Sequence, residues 1–197
     1  MKSIKILGLA AMALTALMAM AGAASATTLT SPTGTTYTST IKAEASSTIT
    51  LTSAFGGFGS VACKSSVVEG KMEKHGSGVT TGGNLTKLTF SECTGGTPTT
   101  TTLGGGETHP IGSGTELATG TLTSTGTTVQ VTGTLLGTCN FKTNATDLGT
   151  VDFATAANPT KTAEITLSAT IPGENCGNAT MEGSYKVVSP DPLFLDS

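Results

Sequence analysis

The residues best equipped for chemistry in this chain are four cysteines, Cys63, Cys93, Cys139 and Cys176. In an exported protein such cysteines close into disulfides, while zinc and redox sites favour closely spaced pairs. No C-x-x-C occurs, so neither a zinc site nor a redox-active pair is expected. Three pairings are open to four cysteines. Paired positions in an antiparallel hairpin keep a constant sum, and a turn near Gly78 sets Cys63 opposite Cys93. A turn at Ala157-Asn158-Pro159 does the same for Cys139 and Cys176, and sets Leu148 opposite Leu167. Nested neighbours, Cys63–Cys93 and Cys139–Cys176, are therefore the preferred pairing.

Other reactive side chains are few. His75 and His109 lie in Gly-rich stretches without H-E-x-x-H spacing, as solvated loop residues do. No G-x-S-x-G elbow exists. Glu69, Glu73, Glu92 and Glu116 read as surface positions or turn flanks, and scarce aromatics leave little platform for stacking a sugar. Asn144, Asp147 and Asp152 offer oxygen ligands, but their spacing departs from a calcium loop and suits Asx turns. No catalytic residue, metal site or cofactor is expected, and the chain reads as a non-enzyme. Asn84-Leu85-Thr86, Asn144-Ala145-Thr146 and Asn178-Ala179-Thr180 are glycosylation sequons, of use only in a host that glycosylates.

One local feature stands apart, Phe55-Gly56-Gly57-Phe58-Gly59. Phe55 and Phe58 on a glycine loop either plug the end of the core or project as an interaction loop for an apolar partner.

The elements that position these residues follow from composition. Residues 1–26 have a basic start, an apolar stretch from Ile6 to Met20 and an Ala24-Ser25-Ala26 ending, the pattern of a cleavable signal peptide. The mature chain, residues 27–197, is read as one domain with no transmembrane segment. It carries 8 Lys, no Arg and 13 acidic residues, a net charge of −5 that argues against nucleic acid as a partner. Of the 197 residues 42 are Thr and 26 are Gly, a balance of β-branched strand formers and turn formers.

Strands are expected near 35–42, 47–54, 60–73, 84–92, 117–123, 127–135, 138–142, 148–153, 162–171 and 179–188, and 95–114 is read as a loop, with an edge strand at Thr99–Thr102 as the alternative. Ile49 with Leu51, Val129 with Val131, Val151 with Phe153, and Ile165 through Leu167 and Ala169 to Ile171 share faces opposite Thr-rich ones. The fold class expected is all-β, an antiparallel β-sandwich of immunoglobulin-like or jelly-roll-like kind. A series from Thr48 to Cys93 is echoed from Thr128 to Cys176, which fits either a duplicated half or convergent β patterning.

The run Ile41 to Cys93, with Cys63, Gly70 and Leu88-Thr89-Phe90-Ser91-Glu92-Cys93, resembles uncharacterised four-cysteine secreted proteins of Gram-positive soil bacteria. So does the tail from Cys176-Gly177 through Gly183-Ser184-Tyr185-Lys186-Val187 to Phe194. A looser similarity runs to secreted activators of alkane oxidation, through the signal peptide and the Cys–strand–Gly–strand–Cys layout. The resemblance implies export and carries over no site residue. The function expected is a secreted or cell-surface structural or binding module, an envelope component for instance. The alternative is a carrier or interaction factor for apolar, alkane- or lipid-like small molecules.

Overall fold

The computed structural model describes residues 26–30, 36, 39–53, 59–74, 76–77, 81–111, 117–133, 137–174 and 176–196. Every regular element among them is a strand. In chain order these are β1 (Ala26–Thr30), β2 (Thr40–Ala45), β3 (Ile49–Ser53), β4 (Gly59–Lys74), β5 (Gly76–Ser77) and β6 (Thr81–Thr94). Then come β7 (Thr97–Thr102), β8 (Gly105–Ile111), β9 (Thr119–Thr125), β10 (Thr128–Gly133) and β11 (Gly137–Lys142). The chain ends with β12 (Thr146–Asp152), β13 (Glu164–Ile171), β14 (Gly173–Glu174), β15 (Ala179–Ser189) and β16 (Phe194–Asp196).

The principal sheet runs β13-β12-β9-β8-β6-β4-β2-β15, and β15 pairs back to β13. Eight antiparallel strands thus close into a barrel, which removes the sheet edges that an open sheet must protect. The all-β class is present, but two stacked sheets are not the main architecture. Alternation of apolar and polar residues specifies a sheet with one buried face, and a barrel meets that condition as well as a sandwich does.

Two strands share one place in the wall. β2 pairs with β15 and β4 at one end, and β3 pairs with the same two strands at the other. Between them Ser46 and Ser47 both donate backbone N–H groups to Ser184 O.

A second sheet, β14-β11-β10-β7, grows out of the first. β9 and β10 form one arm of a long hairpin and β11 and β12 the other. Its lower half pairs within the barrel wall, and its upper half belongs to the four-stranded sheet. This sheet packs Val131, Cys139 and Phe141 against Val61, Cys63, Ala169, Ile171 and Ala179, forming a two-layer region over one part of the barrel. The other end holds the small sheet β16-β1-β5, whose Leu29 and Leu195 join Phe153, Val187 and Leu193 in the second apolar cluster.

All ten expected strands are present, although β2 begins only at Thr40. Over 95–111 the strands β7 and β8 replace the loop, and β7 matches the alternative of an edge strand at Thr99–Thr102. The Gly and Pro residues of this segment answer to position. Pro98 lies opposite Val131 on β7, an outer strand of its sheet, where a missing N–H costs nothing. Pro110 pairs with Gly120 of β9, while β6 meets β8 only over Thr81–Asn84 and never reaches it. A Cβ on Gly104 would stand 2.1 Å from Thr125 O, so close backbone approach excludes a side chain there.

Both disulfides join the expected partners. Cys63 and Cys93 face each other on β4 and β6, in a register that holds from Ala62↔Thr94 to Glu69↔Lys87. Cys139–Cys176 forms by a different route from the hairpin expected. β12 and β13 pair Gly149 with Leu167, one residue away from Leu148. β14 then crosses to β11, pairing Asn140 with Glu174, and brings Cys176 to Cys139 with 5.9 Å between their Cα atoms. The two echoed hairpins differ in register, since Ile49 faces Cys63 whereas Val131, the counterpart of Leu51, faces Cys139.

Candidate binding cavity

Side chains on the inner faces of these strands are mostly Val, Leu, Ile and Ala, and they leave the barrel incompletely filled. An eight-stranded barrel is about wide enough for its own side chains or for one small ligand. The chain has no Trp, only six Phe and two Tyr. Aliphatic residues reach less far than aromatic rings, and space remains.

That space is a cavity of about 210 Å³ between the barrel and the four-stranded sheet. Seven of the eight barrel strands contribute to it, with β3, β7, β10 and β11. Leu51, Leu88, Phe90, Val129, Phe141 and Met181 make up much of its wall. The wall owes this form to β6, which beyond Asn84 loses β8 as a partner. From there Leu85 N bonds to Gly104 O and Thr100 Oγ1 donates to Leu88 O, and the four-stranded sheet covers that side.

A second cavity of about 130 Å³ lies toward the β16-β1-β5 end, among Leu29, Ile41, Met72, Thr81, Phe153 and Leu193. Val68, Leu85, Gly106, Leu122 and Ile165 line both, so the two lobes adjoin across these shared residues.

The polar groups in the larger lobe are committed. Tyr185 donates to Ser66 Oγ at 2.8 Å, and Ser66 donates to Thr89 O at 2.8 Å. Burial pushes the Tyr185 phenol up to about 12, with Ser66 offsetting part of the effect. Ser124, Thr127 and Thr143 form a buried hydroxyl cluster where the long hairpin leaves the wall. Ser124 Oγ lies 3.2 Å from Thr127 Oγ1 and 3.1 Å from Thr143 Oγ1, and Thr143 Oγ1 donates to Thr127 O. Three hydrogens serve three internal bonds, so this cluster offers no donor to a guest.

The residues singled out from sequence lie elsewhere or apart. Phe55, Phe58, His75 and Glu116 fall outside the described residues. His109 is half-buried on β8 with Nε2 3.3 Å from Thr123 Oγ1. Glu69 pairs with Lys87 at 3.2 Å, Glu73 accepts from Asn84 Nδ2, and Asp152 meets Lys161 at 3.8 Å. Among the described residues no three His, Cys, Asp or Glu side chains gather as a metal site. Asn84, Asn144 and Asn178, the sequon asparagines, are all exposed.

On β13 Thr166, Ser168 and Thr170 face out while Leu167, Ala169 and Ile171 are buried, the reverse of a membrane barrel. Among the described residues no helix is long and apolar enough to cross a membrane. The cavity was not singled out from sequence, because its lining comes from inward positions on eleven strands. The one signal was the shortage of aromatics. Comparison with protein-family models, curated proteins and solved structures finds no match to this chain.

Proposed function

We propose that this is an exported, disulfide-braced β-barrel that holds a small apolar molecule inside it and performs no catalysis. The cavity of about 210 Å³ with its almost wholly aliphatic and aromatic wall carries this reading. A cavity of about 150 Å³ lined by such residues stays dry and takes up benzene or xenon, so this one has room for a larger guest. The two disulfides fit an oxidising compartment. The signal peptide over residues 1–26 and the likeness to four-cysteine secreted proteins belong to the same proposal.

A passive structural or envelope role is the second reading. It is favoured by the Thr- and Ser-bearing outer face of β13. Titration of the disulfide-bonded protein with a dye that brightens on leaving water separates the two. Saturable binding at one site is expected, weakened at least tenfold in Val131→Phe, which fills the cavity from a fully buried position on β10. The variant's circular dichroism and melting temperature report whether it folds. A flat titration of wild type would leave the passive role standing alone.

A further inference from the structure

Thr81 is the one described residue whose buried side-chain polar atom has no hydrogen-bond partner, and it is 0% exposed. It opens β6, opposite Thr108 of β8, and lines the smaller lobe of the interior. A buried hydroxyl without a partner is costly and rare in native proteins, and each instance asks for an explanation. The hydroxyls of the larger lobe point the contrast. Those of Ser124, Thr143 and Tyr185 all hold internal partners. Valine has the same shape as threonine and would satisfy packing here without the penalty. The hydroxyl is therefore the feature at this position that packing does not account for.

We infer that the guest is an unbranched aliphatic molecule with one terminal oxygen, a medium-chain primary alcohol, whose oxygen hydrogen-bonds Thr81 Oγ1. Its hydrocarbon tail extends past Val68 and Leu122, which line both lobes, into the larger one. The inference rests on the carrier reading above and adds the ligand's class and polarity. Lobes of about 210 and 130 Å³ suit a chain of roughly eight to twelve carbons, scaling from a ~150 Å³ cavity that holds one benzene. A neutral oxygen suits the site better than a carboxylate, since Lys71, the lysine that lines the smaller lobe, is itself exposed. Both threonine and alcohol can give and accept one hydrogen, so either order of donation satisfies the pair.

The test compares 1-octanol with n-octane as competitors of the apolar dye, in wild type and Thr81→Val. The ratio of octanol to octane affinity is expected to fall about five- to tenfold in the variant, with octane binding unchanged. Thr81→Val without ligand is expected to melt at the same temperature as wild type or higher, since it loses an unpaired buried hydroxyl. An unchanged ratio would overturn the inference, and so would a lowered melting temperature, which would mean that the hydroxyl has a protein partner. In both cases dye binding persists and the carrier reading survives. Loss of dye binding in wild type itself would remove both.

Discussion

Tyr185 on β15 spans the neighbouring β2 and donates its phenolic hydrogen to Ser66 on β4, 2.8 Å away. Ser66 passes its own hydrogen to Thr89 of β6, so one hydroxyl relay ties a run of the barrel wall together from within. The phenol stays neutral because burial raises its pKa from 10.0 to about 12. A group whose folded pKa is raised contributes its full stability below the unfolded value and loses it as pH rises toward the folded one. Stability is therefore expected to be unaffected by this group up to pH 10.0 and to fall between there and about 12. The loss should total about 2–3 kcal/mol. Near-ultraviolet titration checks it cleanly, since the chain has two Tyr and no Trp. Tyr185→Phe should remove the late-titrating half of the signal and flatten the alkaline stability loss.

The disulfides close segments of 30 and 37 residues. Restricting the unfolded chain over such lengths is worth about 3–4 kcal/mol each. Replacing either pair by serine should lower stability by about that amount in urea denaturation. The pairs should differ in their effect on binding. Cys63–Cys93 lies between paired strands of the wall, whereas Cys139–Cys176 braces the sheet that covers the larger lobe. Dye affinity should drop more in Cys139→Ser/Cys176→Ser than in Cys63→Ser/Cys93→Ser.

Gly149 and Gly183 flank Leu167 in one row across β12, β13 and β15. Their φ angles of +147° and +148° lie where side-chain-bearing residues rarely go, and glycines so placed let a barrel wall bend. A Cβ on Gly149 would stand 1.9 Å from the backbone oxygen of Thr166, which has little room to retreat. A Cβ on Gly183 would meet Ile49 Cδ1 at 2.6 Å, the movable tip of a side chain. Both alanine substitutions should destabilise by at least about 1–3 kcal/mol from backbone strain alone, with Gly149→Ala the worse. Thermal melts of the two variants side by side decide the order.

The sequence carried the strands and the cysteine partners well, because both depend on local pattern. Alternation along Ile165–Ile171 marks an inward face, and constant-sum arithmetic gives the Cys63↔Cys93 register because the two shifts between Glu69 and Lys74 cancel. Closure of the barrel depends on β15 pairing with β13 on one side and with β2 and β3 on the other, a choice among distant partners. Alternation is silent on that choice, so barrel and sandwich look alike in the sequence. β8 was hidden for another reason, and β7 was legible only as an alternative to a loop. Gly104 and Pro98 are shaped by close approach and an outer edge, and in isolation such residues look like a loop. The cavity is an absence of side chains at the centre of the fold, and Thr81 matters only because nothing faces its hydroxyl. Neither leaves a motif.

The whole account depends on an unfilled, water-free interior between the barrel and its covering sheet. Crystals of the disulfide-bonded protein held under xenon pressure test that directly. Xenon is expected among Leu88, Val129 and Phe141, with no change in the surrounding backbone. A cavity collapsed by repacked side chains, or one threaded by ordered water in place of xenon, would contradict it.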